Sequence, residues 1–511
     1  MSQLPLPNFI EVAQTLERDD LVRIYSSDGL TPINERVDLE LKYTDLLITT
    51  AEFNRKLVSY QGNKRVTFHS WLKYKEGFSA ELVENLLDKF RVASGQTILD
   101  PFAGSGTTLL VAQGRGVNAV GIDVLPICHV VWNAKAQYRQ FDVQTLHNIK
   151  EWVSSNSPKG GSSFPHIPIT ASAFSEEHER KLMGYKEYVD GLDLDAATRN
   201  LLQLVFMSIL EDISFTRKDG QYLRWDTRSK KAQHRDRRRV EKGMNPYRKF
   251  TKSLILDVES ALVDALDRII RDIEQVKDAP VLDSKQQLIA GTVLEILPKQ
   301  PSEQFDAVIT SPPYCNRYDY TRTYALELAF LGLSHEDIVR LRQEQLSCTV
   351  ENRSKLDQLN AFYSEIGREG DFSEITHVID QNKALQEVFS VIESRAERGD
   401  LNNKGVVQMV RGYFTELAFV IYELFRTAKP GASIAIVNDN VRYGGEIIPV
   451  DLIMTDLASA FGFNPIIIYS LQQRKGNSSQ QMGKYGREAL RKSITIWKKP
   501  DSNPEHSMEA N

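Results

Sequence analysis

Apolar residues first fall into a regular pattern after Ser79. Between positions 82 and 90 they recur at spacings of three and four, which predicts an amphipathic helix that the Ser79 side chain can cap. A short apolar run at 97–100, a helical stretch at 107–115 and a second apolar run at 117–123 follow. Strand, turn, helix and strand in fewer than 30 residues predict a βαβ unit, and therefore parallel strand pairing.

The same alternation of strand and helix patterns resumes after residue 285. Apolar runs at 287–290 and 305–310 predict strands, and a long amphipathic pattern predicts a helix over 406–427. Pro430 and Gly431 predict a turn. The remaining predicted elements are a strand at 432–437, a helix at 450–461 and strands at 465–471 and 493–497. We therefore predict an α/β fold with one Rossmann-like, doubly wound sheet, built from residues 80–130 and 285–500.

Four stretches lie outside this sheet pattern. Residues 1–64 form an N-terminal segment with helical and strand-like patches but no chemical motif. Residues 140–284 are mostly helical in pattern and predict a large insertion, and the polar residues 334–404 predict a smaller helical insertion that breaks at 367–370. Residues 472–491 are polar, contain three glycines and predict a mobile loop.

Composition narrows the class of protein. Of the 511 residues, 41% are hydrophobic and 26% are charged, which is typical of globular proteins. The longest apolar runs are only a few residues long, whereas a membrane-spanning helix needs about 20. The N-terminus has no signal-peptide pattern, so we predict a cytoplasmic protein without a membrane partner. The cysteines Cys128, Cys315 and Cys348 are far apart, so neither a metal site nor a disulfide framework is predicted.

The net charge of −5 hides a strong asymmetry. Residues 217–250 contain 13 lysine and arginine residues but only four acidic ones, so this segment carries +9 and the rest of the chain −14. Its basic residues are interleaved with the aromatic side chains of Tyr222, Trp225 and Tyr247. Such a segment is either a binding surface for a polyanion or simply a solvated basic helix or loop.

The first chemical motif is a glycine-rich turn, residues 100–108 (DPFAGSGTT), between a predicted strand and a predicted helix. Glycines let the backbone approach a ligand closely, and free N–H groups at the start of a helix favour polar or negative ligand groups. Asp123, at the end of the next strand, is placed to accept bonds from ribose hydroxyls. The turn lacks the third glycine of GxGxxG, which argues against a nicotinamide dinucleotide site. By itself the motif also fits a tight turn with no ligand.

The second motif, residues 311–314 (SPPY), follows a predicted strand. Two prolines cannot continue a central strand, and Ser311 before them is driven to an extended conformation. The result is a stiff bend at the carboxyl edge of the sheet, where open α/β folds bind ligands. The Ser311 hydroxyl and free backbone carbonyls offer acceptors beside the Tyr314 ring. This combination suits a planar ring with an exocyclic amine, but it also fits a rigid turn with Tyr314 packed in the core.

Together, DPFAGSGTT and SPPY resemble the motifs of the S-adenosylmethionine-dependent DNA amino-methyltransferases, which methylate exocyclic amines of cytosine or adenine. The resemblance implies that residues 65–139 and 285–511 form the catalytic domain. It also implies that the glycine turn binds the methionine part of the cofactor S-adenosylmethionine, that Asp123 holds its ribose and that residues 291–292 contact its adenine ring. The implied cofactor-binding residues are Phe78, Asp100, Phe102, Ala103, Gly104, Ser105, Gly106, Thr107, Asp123 and Thr292.

The resemblance also implies a mechanism. Ser311 and a backbone carbonyl of the Pro312-Pro313 bend would accept the hydrogens of the target amine, which localises its lone pair for in-line methyl transfer. Tyr314 would stack on a base flipped out of the duplex. The implied catalytic residues are therefore Ser311, Pro312, Pro313 and Tyr314, with Cys315 a bystander thiol. SPPY is similar to the form common among N4-cytosine enzymes, whereas adenine-N6 enzymes more often carry Asp or Asn in place of the serine. We therefore expect N4-cytosine methylation, with adenine-N6 methylation as the alternative.

Double-stranded DNA is the partner that the resemblance implies, and it favours a DNA contact over a solvated role for the basic segment. We expect the 140–284 insertion to recognise the target. Its rivals are the 334–404 insertion and the 472–491 loop, which contains Arg474, Lys475 and Lys484. The expected DNA-binding residues are Arg217, Lys218, Arg224, Arg228, Lys230, Lys231, Arg235, Arg237, Arg238 and Arg239. A separate cognate restriction endonuclease is expected by analogy with the family.

Two other classes of function stay open. An RNA or protein methyltransferase could use the same sheet, although protein-glutamine enzymes usually present Asn before the two prolines, where this chain has Ser311. A non-catalytic DNA-binding protein is the other alternative, and the intact motifs count against it. Residues 438–440 (NDN) follow a predicted strand at the same sheet edge and either line the pocket or form a turn.

Overall fold

The computed structural model describes residues 11–12, 18–26, 28–50, 52–75, 77–219, 223–247, 249–471, 485–486 and 489–501. Their strands are β1 (Glu11–Val12), β2 (Leu47–Thr49), β3 (Thr97–Asp100), β4 (Asn118–Asp123), β5 (Thr216–Lys218), β6 (Leu223–Trp225), β7 (Gln286–Ala290), β8 (Phe305–Thr310), β9 (Ala428–Asp439), β10 (Val441–Tyr443), β11 (Glu446–Ile448), β12 (Asn464–Leu471) and β13 (Lys492–Lys498).

The helices that precede β7 are α1 (Arg18–Tyr25), α2 (Asn34–Lys42), α3 (Ala80–Phe90), α4 (Thr107–Gly114), α5 (Pro126–Ala136), α6 (Val143–Ser155), α7 (Glu176–Asp190), α8 (Ala196–Ile209), α9 (Lys230–Glu241) and α10 (Val258–Val276). Those that follow β7 are α11 (Val293–Ile296), α12 (Tyr320–Thr323), α13 (Ala325–Phe330), α14 (His335–Glu344), α15 (Leu356–Glu365), α16 (Glu369–Gln381), α17 (Lys383–Glu397), α18 (Gly405–Thr427) and α19 (Val450–Ala460). Short 3₁₀ turns cover Thr44–Leu46, Tyr60–Asn63, Tyr138–Gln140 and Leu297–Lys299.

Within these residues one nine-stranded sheet has the order β1-β2-β12-β13-β9-β8-β3-β4-β7. The strands from β9 to β7 run parallel, and β13 is antiparallel to both of its neighbours. This confirms the predicted α/β, Rossmann-like class. The prediction that residues 80–130 and 285–500 build the whole sheet is wrong, because β2 pairs with β12 and β1 pairs with β2. The strands of the N-terminal segment have two and three residues, too few for an alternating pattern to stand out in the sequence, and they cover the edge that β12 would otherwise leave unpaired.

The crevice of this sheet lies between β3 and β8. From β3 the chain moves outward through β4 to β7, and it then returns to the other side of β3 to form β8 and β9. Adjacent parallel strands whose connections run in opposite directions leave a crevice beyond their carboxyl ends. The register pairs Leu99 with Val308, so the glycine turn and the SPPY bend both leave the sheet at this crevice.

Alternate residues of the central strands pack into two hydrophobic cores, one on each face of the sheet. Ile98 and Ile309 belong to the core formed with α3, α4 and α5, whereas Leu99 and Val308 belong to the core formed with α17, α18 and α19. Both faces are therefore covered by helices, which is why these strands read as continuous apolar runs.

Helix α3 forms as its sequence pattern predicts. Ser79 accepts a hydrogen bond from the Leu82 backbone N–H and so caps the helix. The apolar residues that recur along it are buried, and they are Leu82, Val83, Leu86 and Leu87. Helices α4, α18 and α19 also match their predicted bounds to within one residue.

The predicted turn at Pro430-Gly431 is wrong, because these residues lie inside β9. Phe305 of β8 pairs with Ala428, but Ala307 pairs with Ser433, so the extra residues of β9 form an irregularity in the ladder. Gly431 has φ +80°, which is the left-handed conformation that such a bulge uses. The Pro-Gly pair that predicts a turn therefore forms an irregularity within one continuous strand.

The 140–284 insertion is mainly helical, as predicted, with α6, α7, α8, α9 and α10. Its buried residues, such as Leu146, Leu204 and Ile269, belong to the same core as α3 and α5, so the insertion extends one face of the sheet. The hairpin of β5 and β6, in which Arg217 pairs with Arg224, was not predicted. Its strands have three residues each, which is too short for an alternating pattern to stand out in the sequence.

The 334–404 insertion consists of α14, α15, α16 and α17, and its predicted break falls between α15 and α16. Helix α17 packs against α2 and α18. Buried ion pairs join it to the N-terminal segment: Arg36 binds Glu387 at 2.7 Å and Glu446 at 2.9 Å, and Glu446 also binds Arg395 at 2.6 Å. No helix among the described residues is both long and apolar enough to cross a membrane.

Candidate active site

Asp100, the first residue of the glycine turn, joins the two motifs. It is only 1% exposed. Its Oδ1 accepts a hydrogen bond from Thr310 Oγ1 at 2.7 Å, and its Oδ2 accepts one from Thr108 Oγ1 at 2.6 Å. Burial raises the pKa of this carboxyl to about 6, against the three hydrogen bonds that lower it. Asp100 therefore fixes the end of β8 and the start of α4 to the end of β3, and it does not line the cavity described below.

Neither glycine of the turn has room for a side chain. Gly104 has φ +54° and Gly106 has φ +77°. A Cβ on Gly104 would lie 2.8 Å from Tyr74 Cε1, and a Cβ on Gly106 would lie 2.6 Å from Trp132 Cε3. Both positions therefore need glycine for conformation and for space.

Asp123 lies where the sequence predicted, at the end of β4 and facing the turn. One carboxylate oxygen accepts from the Leu125 backbone N–H and the other from the Gly104 N–H, each at 2.8 Å. Burial is the largest influence on this group and raises its pKa. The carboxylate thus holds the glycine turn in shape and also lines the cavity.

The crevice between β3 and β8 opens into a cavity of about 750 Å³ that is partly open to solvent. Eight of the residues expected to bind the cofactor line it, namely Phe78, Phe102, Ala103, Gly104, Ser105, Thr107, Asp123 and Thr292. Two expected contacts, Asp100 and Gly106, lie behind its wall. Ser311 and Pro313 line the same cavity, so the structure brings the two motifs to one space.

The Ser311 hydroxyl is held by two groups that do not line the cavity. Its Oγ lies 3.2 Å from the Val437 carbonyl oxygen, to which it can donate, and 3.0 Å from Tyr314 Oη. Because the hydroxyl proton has an acceptor in the protein, the oxygen lone pairs of Ser311 are left for other donors.

The Tyr314 ring is not in the cavity wall. It is 5% exposed, and Lys492 Nζ lies 4.5 Å from its centroid and 3.1 Å from its hydroxyl oxygen. Lys492 in turn pairs with Asp439 at 3.0 Å. Neither Pro312 nor Tyr314 lines the cavity in this structure, whereas another aromatic residue, Tyr320, does. The neighbouring thiol of Cys315 is fully buried, and burial raises its pKa well above the ordinary value.

Residues 438–440 serve the fold rather than the cavity. Asn438 is buried and donates from Nδ2 to Tyr413 Oη at 2.9 Å. Asn440 Oδ1 accepts from the Asp451 backbone N–H at 3.2 Å and so helps to start α19. None of the three lines the cavity.

Sequence reasoning missed part of the wall. Tyr74 comes from the segment before α3, and Tyr320 is the first residue of α12. In the smaller insertion, Glu344 is the last residue of α14, and Gln345 and Leu346 directly follow it. No local pattern marks these residues, because their place in the wall depends on how α12 and α14 pack across the crevice.

The basic segment forms an exposed surface, here named the basic surface, on α9 and the β5–β6 hairpin. Arg237 and Arg238 of α9 are exposed. Other arginines are held by aromatic rings: Arg235 and Arg239 lie over Tyr247, and Arg217 and Arg224 lie over Phe250. Arg228 pairs with Asp226 at 2.8 Å, Lys230 with Glu176 at 3.2 Å, and Lys231 donates to the Ile169 carbonyl at 2.9 Å.

Lys218 departs from the prediction. It is 3% exposed, it forms an ion pair with the buried Glu327, and its Nζ lies 4.0 Å from Glu211. Since side chains of a strand alternate between faces, exposed Arg217 and buried Lys218 must point apart. In this structure the Lys218 ammonium is therefore not available to a DNA phosphate. Tyr222 of the basic segment and the loop residues Arg474, Lys475 and Lys484 lie outside the described residues.

The doubly wound sheet, with a glycine turn, an acid after the next strand and a proline bend around one cavity, is that of a Rossmann-like methyltransferase. A family model described as DNA methylase (N6_N4_Mtase) matches residues 52–129. The Type II methyltransferase M.BsoBI of Geobacillus stearothermophilus is 50% identical over 482 residues, which cover 94% of this chain and 95% of that protein. M.AvaI of Nostoc sp. is 39% identical over 471 residues, or 90% and 92% of the two chains.

The match to M.MjaII of Methanocaldococcus jannaschii is confined to 82 residues, at 40% identity. The two long matches nevertheless extend through both insertions and are not limited to the cofactor motif. The chain therefore belongs to the DNA amino-methyltransferase family, and it is a site-specific DNA methyltransferase.

Proposed function

We propose that this enzyme transfers a methyl group from S-adenosylmethionine to the N4 amine of cytosine in duplex DNA. The observation that carries the proposal is the Asp100–Thr310 hydrogen bond, which holds Ser311 at the cavity that the glycine turn and Asp123 also line. A serine before the two prolines favours cytosine over adenine. The Type II name of the long relatives supports methylation at a fixed site, with a separate endonuclease as partner.

The cavity fits S-adenosylmethionine in the chemistry of its wall. Asp123 offers a carboxylate for ribose hydroxyls, the start of α4 offers a positive dipole end, and Phe102 and Val293 offer apolar surface. When bound, the cofactor supplies an electrophilic methyl group on its sulfonium.

Ser311 prepares the nucleophile. The lone pair of an exocyclic amine is delocalised into the base ring, so the amine is a poor nucleophile until its hydrogens are held by acceptors. Ser311 Oγ, which donates its own proton toward Val437, accepts one hydrogen, and a carbonyl of the Pro312-Pro313 bend accepts the other. The lone pair then points toward the methyl group. The N–C bond would form as the S–C bond breaks, with S-adenosylhomocysteine as the leaving group, and the methylated nitrogen would lose one proton to water. Orientation of this kind supplies much of the rate in a two-substrate transfer.

Tyr314 keeps two proposed roles. Its hydroxyl lies 3.0 Å from Ser311 Oγ and positions that oxygen. To stack on a flipped base, its ring would have to leave its contact with Lys492, whereas Tyr320 already faces the cavity. We therefore propose that Tyr314 orients Ser311, and that stacking by Tyr314 requires a rearrangement on DNA binding.

The basic surface is the proposed contact for the duplex. Its arginines are exposed or held in place by aromatic rings, which reduces the side-chain entropy lost on binding. Phosphate contacts from this surface supply affinity, and they position the target strand without reading its sequence.

Nucleoside mass spectrometry tests the proposal. The wild-type protein and Ser311→Ala are incubated with unmethylated duplex DNA and S-adenosylmethionine, and the DNA is then digested to nucleosides. We expect N4-methylcytosine with the wild type and at least a hundredfold less with the variant, which should still bind the cofactor. N6-methyladenine would leave the mechanism intact but assign the other base. Absence of a methylated base from varied duplexes would overturn the proposal.

A further inference from the structure

The segment Lys73-Tyr74-Lys75 connects the basic surface to the cavity. Tyr74 lines the cavity, and its ring packs on the glycine turn so closely that Gly104 has no room for a Cβ. The lysines on either side of Tyr74 are both attached to the 140–284 insertion. Lys73 Nζ binds Glu211 Oε1 at 2.8 Å, and Lys75 Nζ donates to the Lys218 carbonyl oxygen.

A second connection runs through aromatic rings. The Tyr324 ring stacks on Tyr74 with 5.2 Å between centroids and 10° between planes. Its hydroxyl accepts a hydrogen bond from the Lys75 backbone N–H at 2.7 Å. On the side of the hairpin, Lys218 Nζ lies 4.9 Å from the Tyr324 centroid and pairs with Glu327. Lys218, Tyr324 and Tyr74 thus form a continuous set of contacts from β5 to the cavity, here named the Lys218 column.

The other end of the column meets the basic surface. Arg217 precedes Lys218 on β5 and is exposed, with its guanidinium over Phe250. Backbone movement of β5 therefore shifts an exposed arginine and a buried lysine together. A phosphate bound to Arg217 would restrain β5. Because Lys218 of β5 contacts Tyr324, and Tyr324 stacks on Tyr74, this restraint would extend to the Tyr74 ring that packs on Gly104.

We propose that the Lys218 column couples duplex binding on the basic surface to cofactor binding in the cavity. Each ligand then tightens the other by the same factor, because coupling between two binding sites is reciprocal. Lys218 and Tyr324 act as positioning residues, since neither lines the cavity. The inference rests on the proposed function in two respects, namely that the duplex binds the basic surface and that the cofactor binds in the cavity.

The test measures the dissociation constant of S-adenosylhomocysteine by calorimetry, with and without a saturating duplex that carries the methylated site. This product replaces the cofactor so that no turnover occurs. For the wild type we expect binding at least about fivefold tighter with the duplex, the lower end of typical couplings. In the double variant Lys218→Met/Glu327→Gln, which leaves no buried charge unpaired, we expect this ratio to fall below about two while the duplex still binds.

Arg237→Gln is the matched control, because it removes an exposed charge of the basic surface on α9, outside the Lys218 column. It should weaken the duplex but keep the wild-type ratio once the duplex is saturating. If the double variant does not fold, Tyr324→Phe serves instead, since it removes only the acceptor of the Lys75 N–H; we expect it to halve the ratio or more.

A wild-type ratio near one, or an unchanged ratio in the folded double variant or in Tyr324→Phe, would overturn the coupling. These results differ from failure of the proposed function. If the enzyme methylates the duplex but shows no coupling, only the inference fails. If the wild type neither binds nor methylates a duplex, both fail.

Discussion

Asp100 accepts a 2.7 Å hydrogen bond from Thr310, a residue 210 positions away in the sequence. This contact joins the last residue of β3 to the last residue of β8, directly before Ser311. The glycine turn and the SPPY bend are therefore fixed relative to each other by a buried group that does not line the cavity. The relationship makes Thr310 as important for the geometry as the residues of the motif itself.

Thr310→Val should reduce methylation without loss of the fold. The change keeps the shape of the side chain but removes the hydroxyl that donates to Asp100. A hydrogen bond to a charged group is worth about 1.5–3 kcal/mol, so we expect kcat/KM to fall roughly ten- to hundredfold if that bond positions Ser311. Steady-state kinetics with a duplex substrate measures the effect. Thr310→Ser, which keeps the hydroxyl, should remain close to the wild type; equal losses in both variants would contradict the role of the bond.

Asp100 should also make stability fall as the pH rises. Its folded pKa of about 6 is higher than its ordinary value of 3.8, so the folded protein binds more proton than the unfolded chain between these values. The contribution of the Asp100 carboxyl to the free energy of unfolding therefore decreases as the pH rises from about 4 to 6. Relative to Asp100→Asn, the wild-type free energy of unfolding should decrease by about 2 kcal/mol over this interval.

Chemical denaturation of both proteins at a series of pH values gives that difference directly. The use of the asparagine variant as reference removes the contributions of all other titrating groups. A difference that is constant with pH would mean that the Asp100 carboxyl has an ordinary pKa in the folded protein.

Gly104→Ala should weaken binding in the cavity. The new Cβ would lie 2.8 Å from Tyr74, at a residue with φ +54°, so the turn or the tyrosine ring must move. We expect the dissociation constant of S-adenosylhomocysteine to rise at least tenfold, as measured by calorimetry. Gly95→Ala is the matched control, because Gly95 also has a positive φ, +84°, but nothing lies within 4 Å of the added atom. Wild-type affinity in Gly104→Ala, or an equal loss in Gly95→Ala, would contradict the role of the contact with Tyr74.

Arg237→Gln/Arg238→Gln should weaken duplex binding through phosphate contacts. Both side chains are exposed on α9. Removal of two such contacts should make the plot of log K against log salt concentration shallower by about two. Titrations of a labelled duplex at several salt concentrations provide the slope. Arg411→Gln, at an exposed arginine of α18 outside the basic surface, should leave the slope unchanged.

The sequence by itself determined the central elements of the sheet and the positions of the two motifs. Short-range periodicity fixes α3, α4 and the central strands, because their apolar faces repeat at 3.6 or 2 residues whatever they pack against. The motifs at 100–108 and 311–314 carry their own backbone constraints, namely glycines with positive φ and two adjacent prolines. Their position at the ends of strands can therefore be predicted from the local sequence. Both motifs duly leave the sheet at one crevice.

Only the tertiary structure decided which residues share the cavity and which charges reach the surface. Glu344 enters the wall from a helix of the smaller insertion, β2 enters the sheet from the N-terminal segment, and Tyr314 lies beneath Lys492 outside the wall. In the sequence, Lys218 cannot be distinguished from the other residues of the basic segment. In the structure it is buried and forms an ion pair with Glu327, more than 100 positions away. These positions depend on contacts between residues that are far apart in the sequence. A local pattern of residue types does not show which distant residues will be in contact.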